Sequence, residues 1–369
     1  MARNGYKIVF AGGGTGGHLY PALVIAEALR DSLGESTAIT FIGARRGIEQ
    51  RLVPRAGYPL VSLRISALKG RGPVAKLAAG FAAGWAVLRC FFWMRRRRPD
   101  LVVGVGGYAS GPAVLAASWA NVATMVMEQN HFPGATNRWL APRVDEVCVP
   151  SEDARARLGG IGTVTGNPVR SAFFETGDLP LGPRPSLLVF GGSRGAHSIN
   201  CAMSTIVGEL ARLDPTPRVV HQTGDADADS VREAVREYPQ GLYEVHPFLD
   251  DMPTRLAAAD LVVCRAGAST LSELTAAGRP AVLIPYPHAA DDHQRHNAES
   301  LARVGAARVI TETELDGRCL AGVLELLGDR ETLRRMSAAS RGLAKPDATR
   351  RIVAVAQGLL GLEEDVRVS

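Results

Sequence analysis

Two stretches decide the fold: KIVFAGGGTGGHLYP, residues 7–21, and LLVFGGSRGA, residues 187–196. Each is an apolar, β-branched run that empties into a glycine turn and then a helical pattern, the order of a βαβ unit. Outward from them, comparable runs recur at AITFIG (38–43), LVVGV (101–105), TMVME (124–128), EVCVP (146–150), RVVHQ (218–222), LVVC (261–264) and AVLIP (281–285). A second internal parallel follows, because LVVGVGGYASGP (101–112) and LVVCRAGASTLSE (261–273) are both strands ending in a small-residue turn that opens a helix. Two similar α/β domains, each a doubly wound parallel sheet, account for the repetition. TGDLPLGPRP (176–185), rich in Gly and Pro, reads as a linker. Ligands of such sheets collect at the carboxyl ends of the strands, so the expected active site is a cleft between the two domains.

The length of 369 residues agrees with two domains, and 46% hydrophobic with 21% charged residues excludes global disorder. Cys90, Cys148, Cys201, Cys264 and Cys319 lie far apart with no CxxC pair. That argues against a zinc ribbon, an iron–sulfur cluster or a disulfide framework, and for a reduced cytosol. No apolar run of signal-peptide length precedes the first glycines, so export is not expected. The net charge of +5 hides an asymmetry: residues 1–167 hold 20 Lys+Arg against 10 Asp+Glu, and residues 168–369 hold 22 against 27. A basic half beside an acidic half suggests an anionic partner for the first. Basic residues are not interleaved with aromatics on strand patterns, so nucleic acid is not an expected partner.

The densest positive cluster, Arg95, Arg96, Arg97 and Arg98, follows the apolar run LAAGFAAGWAVLRCFFWM (77–94). As a helix that run would span about 27 Å, near the thickness of a bilayer core, but Arg89 interrupts it and Gly80 and Gly84 weaken it. One reading is a helix packed on a sheet, with the arginines solvated at its C-terminus where cations suit the dipole. The other is a docking surface, in which Lys69, Arg71, Lys76, Phe81, Trp85, Phe92, Trp93 and the four arginines form an apolar patch ringed by cations. Peripheral docking to an anionic membrane surface is expected over spanning.

Gly12, Gly14 and Gly17 satisfy GxGxxG between a strand and a helix. An NAD site would add an acid at the end of the second strand, where this chain has Ile42-Gly43-Ala44-Arg45-Arg46; the arginines would instead suit a 2′-phosphate, which keeps an NADP oxidoreductase as a rival. Repetition of the pattern in the second half and His18 directly after the last glycine argue against it. Ser193 with the amides of 192–196, and the amides of Ala268, Ser269 and Thr270, form two nests suited to phosphate oxygens. Glu273 is placed on the first helical turn, as a dipole partner or as an acceptor for a ribose diol. The loop PYPHAADDHQRHNA (285–298) concentrates Asp291, Asp292, His293, Gln294 and Asn297, groups that sugar hydroxyls would satisfy. Arg170 could neutralise a diphosphate or form a surface ion pair. Asp225, Asp227 and Asp229 lack EF-hand spacing and read as a solvated turn, and no HExxH motif occurs, so no metal is expected.

As an ordered set, GGGTGGH (12–18), GGYASGP (106–112), EQN (128–130), PGATNR (133–138), GNPVR (166–170), GGSRGA (191–196), RAGASTLSE (265–273) and DDHQRHNA (291–298) resemble the MurG family of bacterial glycosyltransferases. The resemblance runs from about residue 6 to the PDAT at 346–349. It implies a GT-B fold of two Rossmann-like domains: residues 1–167 plus a C-terminal helix, 346–369, for the acceptor, and residues 168–345 for the donor. It also implies transfer of N-acetylglucosamine (GlcNAc) from UDP-GlcNAc to the C4 hydroxyl of undecaprenyl-diphospho-N-acetylmuramoyl(MurNAc)-pentapeptide, in peptidoglycan synthesis at the cytoplasmic face of the cell membrane. No cofactor is implied, and other cell-wall synthesis proteins are candidate partners.

Carried over residue by residue, Thr15, Gly16, Gly17 and Asn130 look like contacts around the transferred sugar, and Arg170 and Ser193 like diphosphate or nucleotide contacts. Leu249, beside Phe248, resembles the backbone grip on uracil. Ala268, Ser269, Thr270, Leu271, Ser272 and Glu273 resemble the phosphate and ribose site, and Gln294 a reader of GlcNAc hydroxyls. His18 is the candidate general base of a single inverting displacement, with a helix-capping histidine as its alternative. A UDP-sugar-binding protein without catalysis is a further rival.

Overall fold

The computed structural model describes residues 5–45, 47–63, 73–192, 195–315 and 317–362, with side chains throughout except at 73–79 and 317–321. They form two compact units, Met1–Val169 with Asp347–Ser369, and Arg170–Pro346.

The first unit carries a seven-stranded sheet of β1 (Lys7–Ala11), β2 (Ala38–Ala44), β3 (Leu60–Leu63), β4 (Leu101–Gly104), β5 (Ala123–Met127), β6 (Glu146–Val149) and β7 (Thr163–Val164). Every pairing is parallel, in the order β3-β2-β1-β4-β5-β6-β7. Its helices are α1 (Gly16–Leu33), α2 (Glu49–Arg55), α3 (Pro73–Arg97), α4 (Ser110–Trp119), α5 (Ala135–Leu140) and α6 (Glu152–Arg157). On one face α1 and the C-terminal helix, Ala348–Leu359, bury Leu19, Ile25 and Leu29 with Ile352, Val353 and Ala356 against Ile8, Phe10 and Val103. On the other, α3 seats Val87, Cys90 and Met94 against α4, whose Ala113, Ala116 and Ala117 let the two helices approach closely.

The second unit repeats the winding with β8 (Ser186–Phe190), β9 (Arg218–Gln222), β10 (Tyr243–His246), β11 (Leu261–Cys264), β12 (Ala281–Leu283) and β13 (Ala307–Val309). Its order is β10-β9-β8-β11-β12-β13, again all parallel. Its helices are α7 (His197–Thr205), α8 (Val207–Arg212), α9 (Ala228–Ala234), α10 (Met252–Ala258), α11 (Ala268–Ala277), α12 (His293–Ala302), α13 (Gly317–Gly328) and α14 (Arg330–Gly342). The expected pair of Rossmann-like doubly wound sheets is therefore present. The winding reverses between β1 and β4 and between β8 and β11, so the turns after those four strands flank the two switch points where such sheets bind ligands.

Two expectations differ from the fold. The strands β3, β7, β10 and β13 escaped the sequence reading, and all four are sheet edges, where a short, half-covered strand lacks the continuous apolar run of an interior one. Residues 176–185 do not link the units but are fastened within the second. Buried Asp260 accepts hydrogen bonds from the Leu181 and Ser186 amides at 2.7 and 2.8 Å, and buried Arg279 donates to the Thr176 carbonyl at 3.1 Å.

Candidate functional site

In the first unit the chain leaves β1 through Gly12–Thr15 and enters α1. The turn is tied to its neighbours by the Gly12 amide on the Ile42 carbonyl (2.9 Å) and the Gly13 amide on the Gly106 carbonyl (3.2 Å). Thr15 occupies the N-cap position, but its hydroxyl caps no backbone amide; it meets His18 Nδ1 at 3.2 Å. The imidazole is partly exposed and lies over Gly106, where a Cβ would come within 2.7 Å of Cδ2 and 2.9 Å of Nε2. Gly106, in the turn after β4, thus has to be glycine for the ring to sit where it does. The arrangement brings Thr15, Gly16, Gly17 and His18 together with the β4 turn at the switch point.

Asn130 follows β5 and is held by Glu128, a residue the sequence reading quoted but gave no role. The buried Glu128 carboxylate accepts from the Asn130 amide (2.8 Å), Asn130 Nδ2 (3.0 Å), the Gly134 amide (2.9 Å) and Asn137 Nδ2 (2.8 Å). The signal available was an acid placed between a buried strand and a Pro-Gly turn, since a buried carboxylate persists only when its lone pairs are filled.

In the second unit α11 begins at Ala268 after an N-cap glycine, Gly267, that offers no side-chain cap. The amides of Ala268, Ser269 and Thr270 open the helix and so have no intrahelical acceptor, an arrangement that suits an anion. Leu271 is buried, and the Ser272 hydroxyl bonds back to the Ala268 carbonyl at 3.0 Å. Glu273 is the sixth residue of α11, on the second turn and not the first as expected from sequence, and the dipole effect has faded there. Its side chain keeps partial exposure, yet burial around the carboxyl pushes it up to about 7, opposed by the Arg170 guanidinium. Arg170 itself lies over the Phe173 ring, 5.0 Å from its centroid.

Leu249 is buried beside exposed Phe248 at the carboxyl side of β10. Gln294 accepts the Tyr286 amide through Oε1 at 3.0 Å, which leaves its amide NH2 to donate. Its neighbours are more self-sufficient than the sequence suggested: His293 Nδ1 donates to the Ala290 carbonyl (2.6 Å), and Asn297 is fully buried and donates to the Ala266 carbonyl (3.3 Å). Asn297 therefore ties α12 to the turn that opens α11. Ser193 lies outside the described residues. Asp227 is used internally, facing His197 Nδ1 at 3.0 Å and Asn200 Nδ2 at 2.7 Å. Among the described residues, no group of three or more His, Cys, Asp and Glu side chains could hold a metal ion.

On α3, Phe81, Trp85 and Phe92 are 81%, 66% and 67% exposed and recur at helical spacing on one face, and Arg95, Arg96, Arg97 and Arg98 are exposed at its end. Trp93 does not share that face: it packs against the core formed by α3, α4 and the sheet, because it falls beside the inward Cys90 and Met94. The Lys76 side chain, Lys69 and Arg71 lie outside what is described. No helix among the described residues is long and apolar enough to cross a membrane.

Comparison with known proteins fits this geometry. Residues 8–149 match the glycosyltransferase family 28 N-terminal domain, and residues 186–352 the glycosyltransferase family 28 C-terminal domain. A protein of Syntrophotalea carbinolica is 44% identical over 96% of this chain and 99% of its own length, and one of Geobacter metallireducens is 42% identical over 94% and 97%. Both are named UDP-N-acetylglucosamine--N-acetylmuramyl-(pentapeptide) pyrophosphoryl-undecaprenol N-acetylglucosamine transferase. The crystal structure of Acinetobacter baumannii MurG is similar with a TM-score of 0.79 and 29% identity, covering 96% of this chain and 99% of that one. With both family domains matched in order and relatives this similar along nearly their whole length, the chain belongs to glycosyltransferase family 28.

Proposed function

We propose that this chain transfers GlcNAc from UDP-GlcNAc to the C4 hydroxyl of lipid-linked MurNAc-pentapeptide, with inversion. Relatives that carry this activity in their names support the reaction, and membership of family 28 displaces the NADP alternative. The observation that carries the donor half is the combination on one unit of the α11 amides, Arg170 and a carboxyl that titrates near neutrality. Amides and guanidinium suit a diphosphate, and a carboxylate suits a ribose diol.

The acceptor hydroxyl loses its proton to His18 as its oxygen attacks C1 of the sugar. The C1–O bond to the diphosphate breaks, and UDP leaves with the bonding pair. For this, Nδ1–H of His18 donates to the Thr15 hydroxyl, so that Nε2 carries the lone pair a base needs. Charge gathering on the diphosphate is met by the first amides of α11 and by Arg170, which are oriented before reaction and cost no reorganisation during it. The exposed face of α3, with Arg95, Arg96, Arg97 and Arg98, rests on the anionic cytoplasmic surface of the membrane.

The test is UDP release from UDP-GlcNAc with a short-chain MurNAc-pentapeptide diphospholipid in EDTA, beside an acceptor-free control. Release that needs acceptor and tolerates EDTA is expected. Donor binding without release would make the chain a silent UDP-sugar binder or assign it another acceptor.

A further inference from the structure

Glu49 opens α2 and is 1% exposed, and it lies in none of the motifs that mark the site. Both of its carboxylate oxygens are spent on backbone: Oε2 accepts the Gly14 amide and Oε1 the Ala44 amide, each at 2.8 Å. Three glycines wall this carboxylate. A Cβ at Gly13, Gly43 or Gly47 would come within 2.8, 2.6 and 2.1 Å of the nearest Glu49 atom, so any side chain there would evict it.

Burying a carboxylate against bare backbone costs desolvation that an apolar residue of similar size would avoid. The location of its bonds shows what is gained. Gly14 directly precedes Thr15, whose hydroxyl meets His18 Nδ1 at 3.2 Å. On its far side the same turn is fixed by the Gly13 amide on the Gly106 carbonyl, and Gly106 underlies the His18 ring. The glycine turn is thus held by three amides in succession, Gly12 on the Ile42 carbonyl, Gly13 on the Gly106 carbonyl and Gly14 on Glu49, and Glu49 is the anchor that a side chain supplies. We infer that Glu49 is a positioning residue for the acceptor chemistry: it fixes the Gly12–Thr15 turn and, through it, the orientation of Thr15 and His18. The kinetic part of this inference rests on the transferase reading above.

Glu49→Gln tests it, because it keeps the volume but turns an NH2 toward a backbone N–H. Turnover is expected to fall about 10- to 100-fold, as a displacement of about 1 Å does at a reacting group, with UDP affinity unchanged within about twofold. Combined with His18→Ala, it should add little further loss, since both changes remove one device. A readout free of substrate accompanies the kinetics: the His18 ring resonances, assigned by His18→Ala, should move in Glu49→Gln while those of His221 in the other unit stay put and report intact folding. Should Glu49→Gln not fold, Glu49→Asp, whose shorter arm cannot reach both amides, carries the same two readouts. Unmoved His18 resonances, or losses that multiply independently in the double variant, overturn the inference. A wild-type chain that never releases UDP with acceptor refutes the transferase reading instead, and the resonances still decide the role of Glu49.

Discussion

Replacing Glu273 by Gln should make the unliganded protein more stable and its hold on UDP weaker. In the folded chain the carboxyl titrates near 7, against an ordinary value of 4.5, because burial outweighs the help from Arg170. At about 1.4 kcal/mol per tenfold, keeping it ionised at pH 8 costs the folded state about 3 kcal/mol. Partial exposure screens some of that, and Arg170 loses a partner in the variant, so a gain of about 1–2 kcal/mol is expected. For a unit of this size, that raises the melting temperature by about 2–8 °C.

The sign follows from linkage. A carboxyl whose folded pKa lies above its unfolded one binds its proton more tightly in the folded state, so the wild type loses stability as pH rises from 4.5 through 7. The two proteins should therefore melt alike near pH 4 and diverge up to pH 8. Calorimetric titration should show UDP binding about 10- to 100-fold weaker in the variant, the loss of hydrogen bonds to a charged acceptor. Equal melting of the two proteins at pH 8 would show that no ionisation cost is carried. Equal UDP affinity would remove Glu273 from the nucleotide site.

Three further outcomes can be checked. His18→Ala should lower turnover by about 10² or more while UDP affinity holds, and unchanged turnover in the UDP-release assay would take the histidine out of the base role. His221 is fully buried between Tyr243 and Asn200, and burial, opposed by Asp227, holds it down to about 4. Its stabilisation is thus whole above pH 6.5 and is lost as pH falls to 4, about 3 kcal/mol in all. In urea melts His221→Gln should flatten that slope, and an unaltered slope would assign the acid sensitivity elsewhere. Changing Phe81, Trp85 and Phe92 together to Ser should weaken binding to anionic vesicles by more than about 100-fold in a flotation assay, since each buried aromatic contributes about 1.5–3 kcal/mol; retained binding would reject the α3 docking face.

Much of this molecule is written locally. β1, β2, β4, β5, β6, β8, β9, β11 and β12 declare themselves because an interior parallel strand is covered on both faces and must be apolar along its length. The turns after β1, β4 and β8 are equally visible, since Gly12, Gly14, Gly106 and Gly192 take positive φ angles that favour glycine, and the turns after β1 and β11 lead into the helices that carry His18 and Ala268 in their first turns. The faces of α3 were only half legible: exposure of Phe81, Trp85 and Phe92 agrees with the expected patch, while Trp93 turns inward, a matter of some 100° of helical rotation per residue that composition does not record.

The sequence by itself determined the interior strands of the two sheets, their common winding and the glycine turns at the switch points, because strand periodicity and glycine turns are short-range properties of the chain. Only the tertiary structure decided what Glu49 binds and how Glu273 titrates. Glu49 reaches Gly14 across 35 positions, and Glu273 titrates near 7 only because of what surrounds it. A carboxylate's partners and its proton affinity are set by what folding brings within a few ångströms, and no local pattern encodes that.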